Sequence, residues 1–320
     1  MIMSLHVVVG ASGPSGVKLA KHLQGAGKSV RTVSRSQSVK GLDLPHISAD
    51  ATVESELLKA CEGASVIYHC VGLKYSFQSW SEGFPKTVGN SITAAERNGA
   101  TLVLADNLYC YDPEKVIDAK TVTTELPYAT SDFNGKYKKS FLRAQLCRML
   151  EDAEKAGRCK TAMVRASDFY GPGVTNSHLG SMFFSKLAKG KSASVVVRKN
   201  KLHSVTHIDD FAKALAIAGM NEKAWGKAWH VPNAPPAKFE DFPKLAGVEN
   251  GATSEMPGFL KSVVSLFMPA LREVMEMSYM FDTDFVVDSN FAEAFPEFGQ
   301  PVSLETGLKD TLQWFKDTQV

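Results

Sequence analysis

Apolar positions in the first half of the chain fall into short β-branched runs, separated by longer stretches in which apolar residues recur three and four apart. The runs at 5–9, 29–33, 46–48, 65–70, 101–105 and 160–164 predict strands, and 16–24, 53–61, 84–98 and 138–156 predict helices. Strands alternating with helices imply parallel βαβ units and a doubly wound sheet covered on both faces. Beyond Gly171 the pattern becomes irregular and prolines accumulate at Pro232, Pro235, Pro236, Pro243, Pro257 and Pro269. An α/β domain over 1–171 and a smaller mixed C-terminal lobe over 172–320, mainly building a substrate side, are therefore expected. The boundary stays open, because 205–215 again reads as a strand running into a helix, and the segment 204–220 can return to the main sheet.

Composition narrows the function classes. Apolar residues make up 44% and charged residues 22% of 320, which is ordinary globular usage. The 36 basic and 34 acidic side chains leave a formal charge of +2, so no global field would hold a polyanion, and nucleic acid is not expected as a partner. The longest apolar candidate, 259–271, is too short to span a bilayer and contains Lys261, Ser262, Ser265 and Pro269. Residues 1–9 carry no basic leader. Five cysteines (Cys61, Cys70, Cys110, Cys147 and Cys159) are odd in number and lack a CxxC spacing. They read as reduced thiols of a cytoplasmic protein, with no metal framework.

The strongest local signal is the first strand run followed by Gly10-Ala-Ser-Gly13-Pro-Ser-Gly16. At a strand-to-helix turn the first glycine permits the tight bend. The second lets a pyrophosphate approach the backbone, and the third lets helix and strand pack closely. Pro14 suits the first helical turn, where a missing N–H is tolerated. Ser12 and Ser15 complete the loop. A tight turn without a ligand is the alternative, and the position on the first strand favours nucleotide binding. The end of the second strand lacks the acidic residue that would hold the NAD ribose and offers Arg31, Ser34 and Arg35 instead. Ser34 and Arg35 can hold a 2′-phosphate, so NADP(H) is preferred over NAD(H). Asp50 is placed to reach the adenine or to cap the helix near Thr52.

With these residues in hand, the chain resembles the extended or atypical short-chain dehydrogenase/reductases, specifically the NAD(P)-dependent epimerase/dehydratase branch with its Rossmann-type fold. Gly10 to Gly16 resembles its nucleotide loop, and Tyr68-His-Cys-Val-Gly72 its fourth-strand segment. Arg165-Ala-Ser-Asp-Phe-Tyr-Gly-Pro-Gly173 and Ser204-Val-Thr-His-Ile-Asp-Asp210 resemble later signatures. The resemblance implies cofactor contacts at Val71, Gly72 and Asp168, and a substrate-facing Tyr170. It also implies a Ser or Thr after the fifth strand and a Tyr-x-x-x-Lys pair on the next helix, which exchange a proton while hydride moves.

This sequence departs from that pattern. Asp106 and Asn107 stand where serine is expected, and the favoured register of the helix puts Lys139 in place of the tyrosine and Arg143 in place of the lysine. The literal match Tyr111-Asp-Pro-Glu-Lys115 contains Pro113 and is expected to be a loop.

The reading that follows is an NADP(H)-dependent reductase of a small or medium apolar carbonyl compound. Asn107, Tyr109 or Lys139 would orient the substrate oxygen, and Arg143 would keep the ribose contact. A non-catalytic NADP(H)-binding sensor or scaffold is the first alternative, and a sugar-nucleotide epimerase or dehydratase the second. The helices 84–98 and 138–156 often form a dimer contact in this family, so a homodimer through them is one expectation and a monomer the other. His69 is expected to be a hydrogen-bonded core histidine, and His207 with Asp209 and Asp210 a capping group rather than a metal site. The Met-rich stretch 256–280 reads either as a lid over an apolar substrate or as a packing face. Trp225, Trp229 and Trp314 read as packing residues.

Overall fold

A computed structural model describes residues 4–195, 198–256 and 269–319. Most of the central part of the Met-rich stretch lies outside the described residues. In chain order the principal elements begin with β1 (Leu5–Val9), α1 (Pro14–Gly25), β2 (Ser29–Ser34), β3 (His46–Ser48), α2 (Glu54–Ala60), β4 (Val66–His69) and α3 (Phe77–Asn98). They continue with β5 (Thr101–Asn107), α4 (Pro113–Asp118), α5 (Lys138–Lys155), β6 (Lys160–Ala166), β7 (Asp168–Tyr170), α6 (Ser185–Ala188), β8 (Ala193–Val195), β9 (Leu202–His203) and β10 (Val205–His207). After these come α7 (Ile208–Met220), β11 (Lys227–His230), β12 (Ala237–Lys238) and β13 (Thr253–Glu255), then several short helices and a last long one, Leu304–Thr318.

The chain forms two compact units. The first comprises Met1–Cys110, Phe141–Arg165 and Phe211–Trp229, and the second Tyr111–Ser140, Ala166–Asp210 and His230–Val320. The stretch Tyr111–Ser140, expected in the first domain, thus belongs to the second unit. The long connection after β5 leaves the sheet before α5 brings the chain back.

The first unit is built on a seven-stranded sheet of order β11-β6-β5-β4-β1-β2-β3, in which β1 pairs in parallel with β2 and β4, β2 with β3, and β4 with β5. This is the doubly wound Rossmann-type order, with its switch point between β1 and β4. The centres of β1, β4, β5 and β6 are mainly apolar because both faces are covered: Val7, Val8, Ile67, Tyr68, Val103, Ala162 and Val164 are all fully buried. His6 interrupts the run on β1, and its Nδ1 lies 3.1 Å from the Tyr68 hydroxyl. Burial, helped by Lys28, lowers the His6 pKa to about 4, so the ring is neutral. On α7, Gly219 makes room for the same tyrosine, since a Cβ there would stand 2.3 Å from the Tyr68 hydroxyl. His69 is the expected core histidine, with Nε2 3.0 Å from the Thr87 hydroxyl.

Three expectations are corrected. Helix α3 starts seven residues earlier than the pattern indicated. The Ser76 hydroxyl caps it by accepting the Ser79 N–H, and Pro85 is tolerated inside it. Strand β10 does not return to the main sheet; it pairs in parallel with β7. The return is made by Phe211–Trp229, which ends in β11 beside β6. The segment after Tyr111 is not a loop, because the Asp112 carboxylate accepts the Glu114 and Lys115 N–H groups and starts α4. Tyr111 precedes that helix and is buried, its hydroxyl 2.6 Å from His230 Nε2. His230 Nδ1 is 2.9 Å from the Asp288 carbonyl, which requires the N–H there and leaves Nε2 to accept from Tyr111.

The second unit has an aromatic core of Phe183, Phe184, Phe239, Phe242, Phe281 and Phe291. Its β pairs are short: β7 with β10, β9 with β12, and β8 with β13. Among the described residues, no helix is long and apolar enough to cross a membrane.

Candidate cofactor and active site

The loop from Gly10 to Gly16 joins β1 to α1. The Gly10 and Ala11 N–H groups both donate to the Val33 carbonyl, at 2.9 and 3.1 Å, which straps the loop to β2. Gly10 is left-handed, at φ +83°, and a Cβ on it would lie 2.5 Å from the Cys70 carbonyl oxygen. Gly16 is equally constrained, with a Cβ 2.6 Å from the Gly10 oxygen. Both are required by the protein's own packing.

Gly13 is different. Its φ is −77°, which any residue adopts, and a Cβ would meet nothing closer than the Gly10 oxygen at 3.5 Å. The protein's own packing therefore does not require a glycine at position 13, the N-terminus of a twelve-residue helix whose cap makes no side-chain hydrogen bond. The positive end of the helix dipole and the first-turn amides suit an anion there.

At the end of β2, Ser34 is buried and its hydroxyl has no partner, while Arg35 beside it is exposed. Arg31 is not part of this cluster, because its guanidinium donates to the Ala60 and Glu62 carbonyls at 3.1 and 2.8 Å. Asp50 closes a local turn by accepting the Thr52 N–H and hydroxyl at 2.9 and 2.8 Å. Those bonds hold its carboxyl below the usual range, with Arg35 a smaller contributor.

At the carboxyl end of β5 the two departures from the family pattern meet. Arg143 on α5 forms a buried ion pair with Asp106 Oδ1, while Asp106 Oδ2 accepts from Arg165 Nε at 3.3 Å and from the Cys147 thiol at 3.4 Å. Burial pushes the Asp106 carboxyl up, but the charges of Arg143 and Arg165 outweigh it and the net direction is down. Asp106, Cys110 and Cys147 offer ligand atoms within 4.8 Å of one another. Two guanidinium groups already occupy the carboxylate, which disfavours a cation there. Arg165 is the participant the sequence reading did not assign; a lone arginine in the apolar run of β6 was the available signal.

Asn107 Oδ1 accepts the Tyr109 N–H at 3.0 Å, forming an Asx turn that fixes the backbone under Tyr109. The Tyr109 hydroxyl lies 3.5 Å from that of Tyr75, and its ring stacks on Trp80 with centroids 6.1 Å apart. Val71 and Gly72 follow β4 at the same sheet edge.

Other expected site residues hold structural positions in the second unit. Lys139 has no exposed side-chain surface; its ammonium pairs with Glu273 and with Glu276 at 2.9 Å, and Glu276 also takes the Lys139 N–H at 2.6 Å. That ammonium is committed to two carboxylates, which corrects its expected part in orienting a substrate oxygen. Tyr170 is 1% exposed, edge-on to His207 at 5.1 Å, and Gly307 of the last helix packs against its hydroxyl. It is a core residue rather than a pocket-facing one. Asp168 Oδ2 is 2.7 Å from His203 Nε2, and the His203 ring stacks on Phe281 at 4.7 Å. Asp209 and Asp210 lie in the first turn of α7, and Asp210 accepts the Val302 N–H at 2.9 Å.

With this geometry in place, the comparisons with known proteins are specific about family. The model of the NAD dependent epimerase/dehydratase family matches residues 6–231. The chain belongs to this family. It is similar to 3beta-hydroxysteroid-dehydrogenase/decarboxylase isoform 2 of Arabidopsis thaliana, with 25% identity over 249 residues, which are 73% of this chain and 42% of that protein. The chain spans about half the length of the curated relatives it matches. Among solved structures it is similar to epimerase Mth375 of Methanothermobacter thermautotrophicus, with a TM-score of 0.78, 15% identity, and coverage of 99% and 93% of the two chains. It is similar also to UDP-glucuronic acid 4-epimerase from Bacillus cereus in complex with UDP-glucuronic acid and NAD, with a TM-score of 0.77, 15% identity, and coverage of 98% and 99%. At these identities the structural likeness establishes the fold.

Proposed function

We propose that the chain is an NADP(H)-linked oxidoreductase that interconverts an apolar carbonyl compound of small or medium size and its alcohol. The observation that carries this reading is Gly13: the fold itself requires Gly10 and Gly16 but would tolerate a Cβ at Gly13, at a helix N-terminus with no side-chain cap. The pyrophosphate would lie there, with Gly10, Ser12, Pro14, Ser15 and Gly16 shaping the loop and Val71 and Gly72 at the neighbouring strand end. Ser34, with its unpartnered hydroxyl, and exposed Arg35 would hold the 2′-phosphate. When bound, the nicotinamide supplies or accepts hydride.

The proton is assigned to Tyr109. Tyr109 is half-buried in the turn after β5, and Asn107 acts as a positioning residue through its bond to the Tyr109 N–H. Arg143 is held by Asp106, and its part is to orient that strand end rather than to contact a ribose. Asp168, expected at the cofactor, has its carboxylate engaged by His203.

Fluorescence titration with NADPH and NADH, followed by turnover of a panel of apolar ketones, tests the reading. Tighter binding of NADPH, a loss of that preference in Arg35→Ala, and turnover abolished in Tyr109→Phe are expected. Binding without turnover across the panel would assign the chain to the sensor class, and equal affinity for the two cofactors would remove the role of Arg35.

A further inference from the structure

The loop after β4 and the first turns of α3 carry a feature that cofactor binding does not use. Ser76 caps α3, so Tyr75 stands one position before the cap and Trp80 at the fourth helical position, the two places that a hydrophobic staple joins. Their rings meet perpendicular to each other with centroids 5.2 Å apart. Phe84 packs edge-on to the indole at 5.3 Å, and Tyr109, in the turn after β5, stacks on it. Gly83 lets the loop lie this close, because a Cβ there would stand 2.6 Å from Leu73 Cδ1.

A staple accounts for the rings but not for the indole. Trp80 is 6% exposed and its Nε1–H has no hydrogen-bond partner. Phenylalanine would fill the same role without burying a donor, and a buried donor without an acceptor is costly and rare. Trp225 and Trp229 make the contrast, since their indole N–H groups donate to the Ala218 and Ala224 carbonyls. The Trp80 ring meets the rings of both Tyr75 and Tyr109, whose hydroxyls are 3.5 Å apart. Tyr75 is the surface member, with 37% of its area exposed, so its side chain is the one that can turn aside to admit a ligand.

We propose that Tyr75, Trp80 and Tyr109 form the seat of the substrate oxygen. The Trp80 indole N–H and the tyrosine hydroxyls donate to a carbonyl oxygen, and the aromatic rings receive the apolar body that carries it. The substrate class is then a compact cyclic or branched ketone rather than a polyhydroxylated sugar. A flat apolar face suits stacking on rings, and one carbonyl oxygen can accept from the buried indole N–H and a tyrosine hydroxyl. This deepens the reading of the chain as a carbonyl oxidoreductase and rests on it for the hydride step, but the seat itself lies wholly in the first unit and can be tested without turnover.

The test is a two-dimensional proton–nitrogen spectrum of the indole N–H groups, assigned by Trp80→Phe. Cyclohexanone is titrated with and without NADP+, and methylcyclohexane serves as the shape control. The Trp80 signal is expected to move downfield with cyclohexanone and to stay with methylcyclohexane, while the Trp225 and Trp229 signals stay with both. Trp80→Phe should weaken cyclohexanone binding about five- to tenfold, the loss of one hydrogen bond. Tyr75→Phe, at an exposed position, should keep the fold and weaken binding by a smaller factor. An unmoved Trp80 signal in a protein that binds NADPH and reduces ketones would overturn the seat and leave the function standing. A moved signal without ketone reduction would keep the seat and overturn the function.

Discussion

Replacing Asp106 by asparagine tests whether the departures at β5 and α5 form one structural unit. The carboxylate sits between two guanidinium groups and one thiol with essentially no solvent access. An amide at this position would keep the shape but leave Arg143 and Arg165 buried without a counter-charge. Breaking a buried pair in this way costs roughly 3–5 kcal/mol, and each kcal/mol moves the midpoint of a domain of 150–250 residues by about 2–4 °C. A fall of roughly 6–20 °C in the melting temperature near neutral pH is therefore expected, read by circular dichroism together with urea unfolding. Adding Arg143→Met to Asp106→Asn should recover part of the loss, because it removes one of the stranded charges; the coupling between the two sites should exceed about 1 kcal/mol. The pH dependence has a definite sign. The folded Asp106 carboxyl titrates below its ordinary value, so its contribution is complete above pH ~4 and is lost as the pH falls through the folded pKa. Asp106→Asn should lack that acid limb. A variant within about 1 kcal/mol of the parent, or an additive double mutant, would refute the reasoning.

Three further outcomes follow from the same geometry. Gly13→Ala should fold with a small change in melting temperature yet bind NADPH roughly 5- to 150-fold more weakly by fluorescence titration, the equivalent of about 1–3 kcal/mol of overpacking at the ligand; Gly10→Ala should instead fail to fold stably, since its Cβ meets the Cys70 backbone. Tyr111→Phe should lower stability by about 1–3 kcal/mol in urea, because it strands buried His230 Nε2, and should leave ketone turnover unchanged. All five cysteines are buried, and burial raises the Cys61 and Cys70 thiols to about 12 and Cys159 to about 11. Native protein should therefore react slowly with a thiol reagent near neutral pH, and all five should react promptly in denaturant; rapid labelling of the folded chain would contradict the burial.

The parts of this fold that could be read from the chain are those in which local pattern and tertiary role agree. The centres of β1, β4, β5 and β6 are mainly apolar on both faces, and glycines at 10 and 16 mark a turn that only they can make. What escaped was non-local. Strand β11 is four residues long and joins the sheet only because α7 delivers it to the edge beside β6. Tyr170 sits in a segment that the family resemblance placed at the pocket, but helix Leu304–Thr318, far along the chain, covers it. Lys139 was legible as a cation on α5, while its partners Glu273 and Glu276 lie more than 130 residues away, and no pattern links them. The predicted start of α3 at 84 missed its first two turns, which the Ser76 cap begins and the buried Trp80 and Phe84 hold, with Pro85 tolerated inside the helix.

Asp106 and Arg143 also bear on which group can hold the proton. On the register that the resemblance implies, each read separately is a loss: a hydroxyl replaced by an acid, and a lysine replaced by an arginine. Together they are one substitution, because the carboxylate accepts the guanidinium and the two charges are satisfied in the same buried space, with Arg165 as the third member. Neither residue can change alone without stranding the other, and neither can lend a proton near neutral pH, since the acid is held ionised and the arginine holds its proton too tightly. In the proposed function the hydroxyl at this sheet edge then comes from a neighbouring position. The nearest supplied by β5 and its turn is Tyr109, fixed by Asn107 and placed against Trp80 and Tyr75. In the proposed function the proton is therefore carried by Tyr109, in the turn after β5, beside Trp80 and Tyr75.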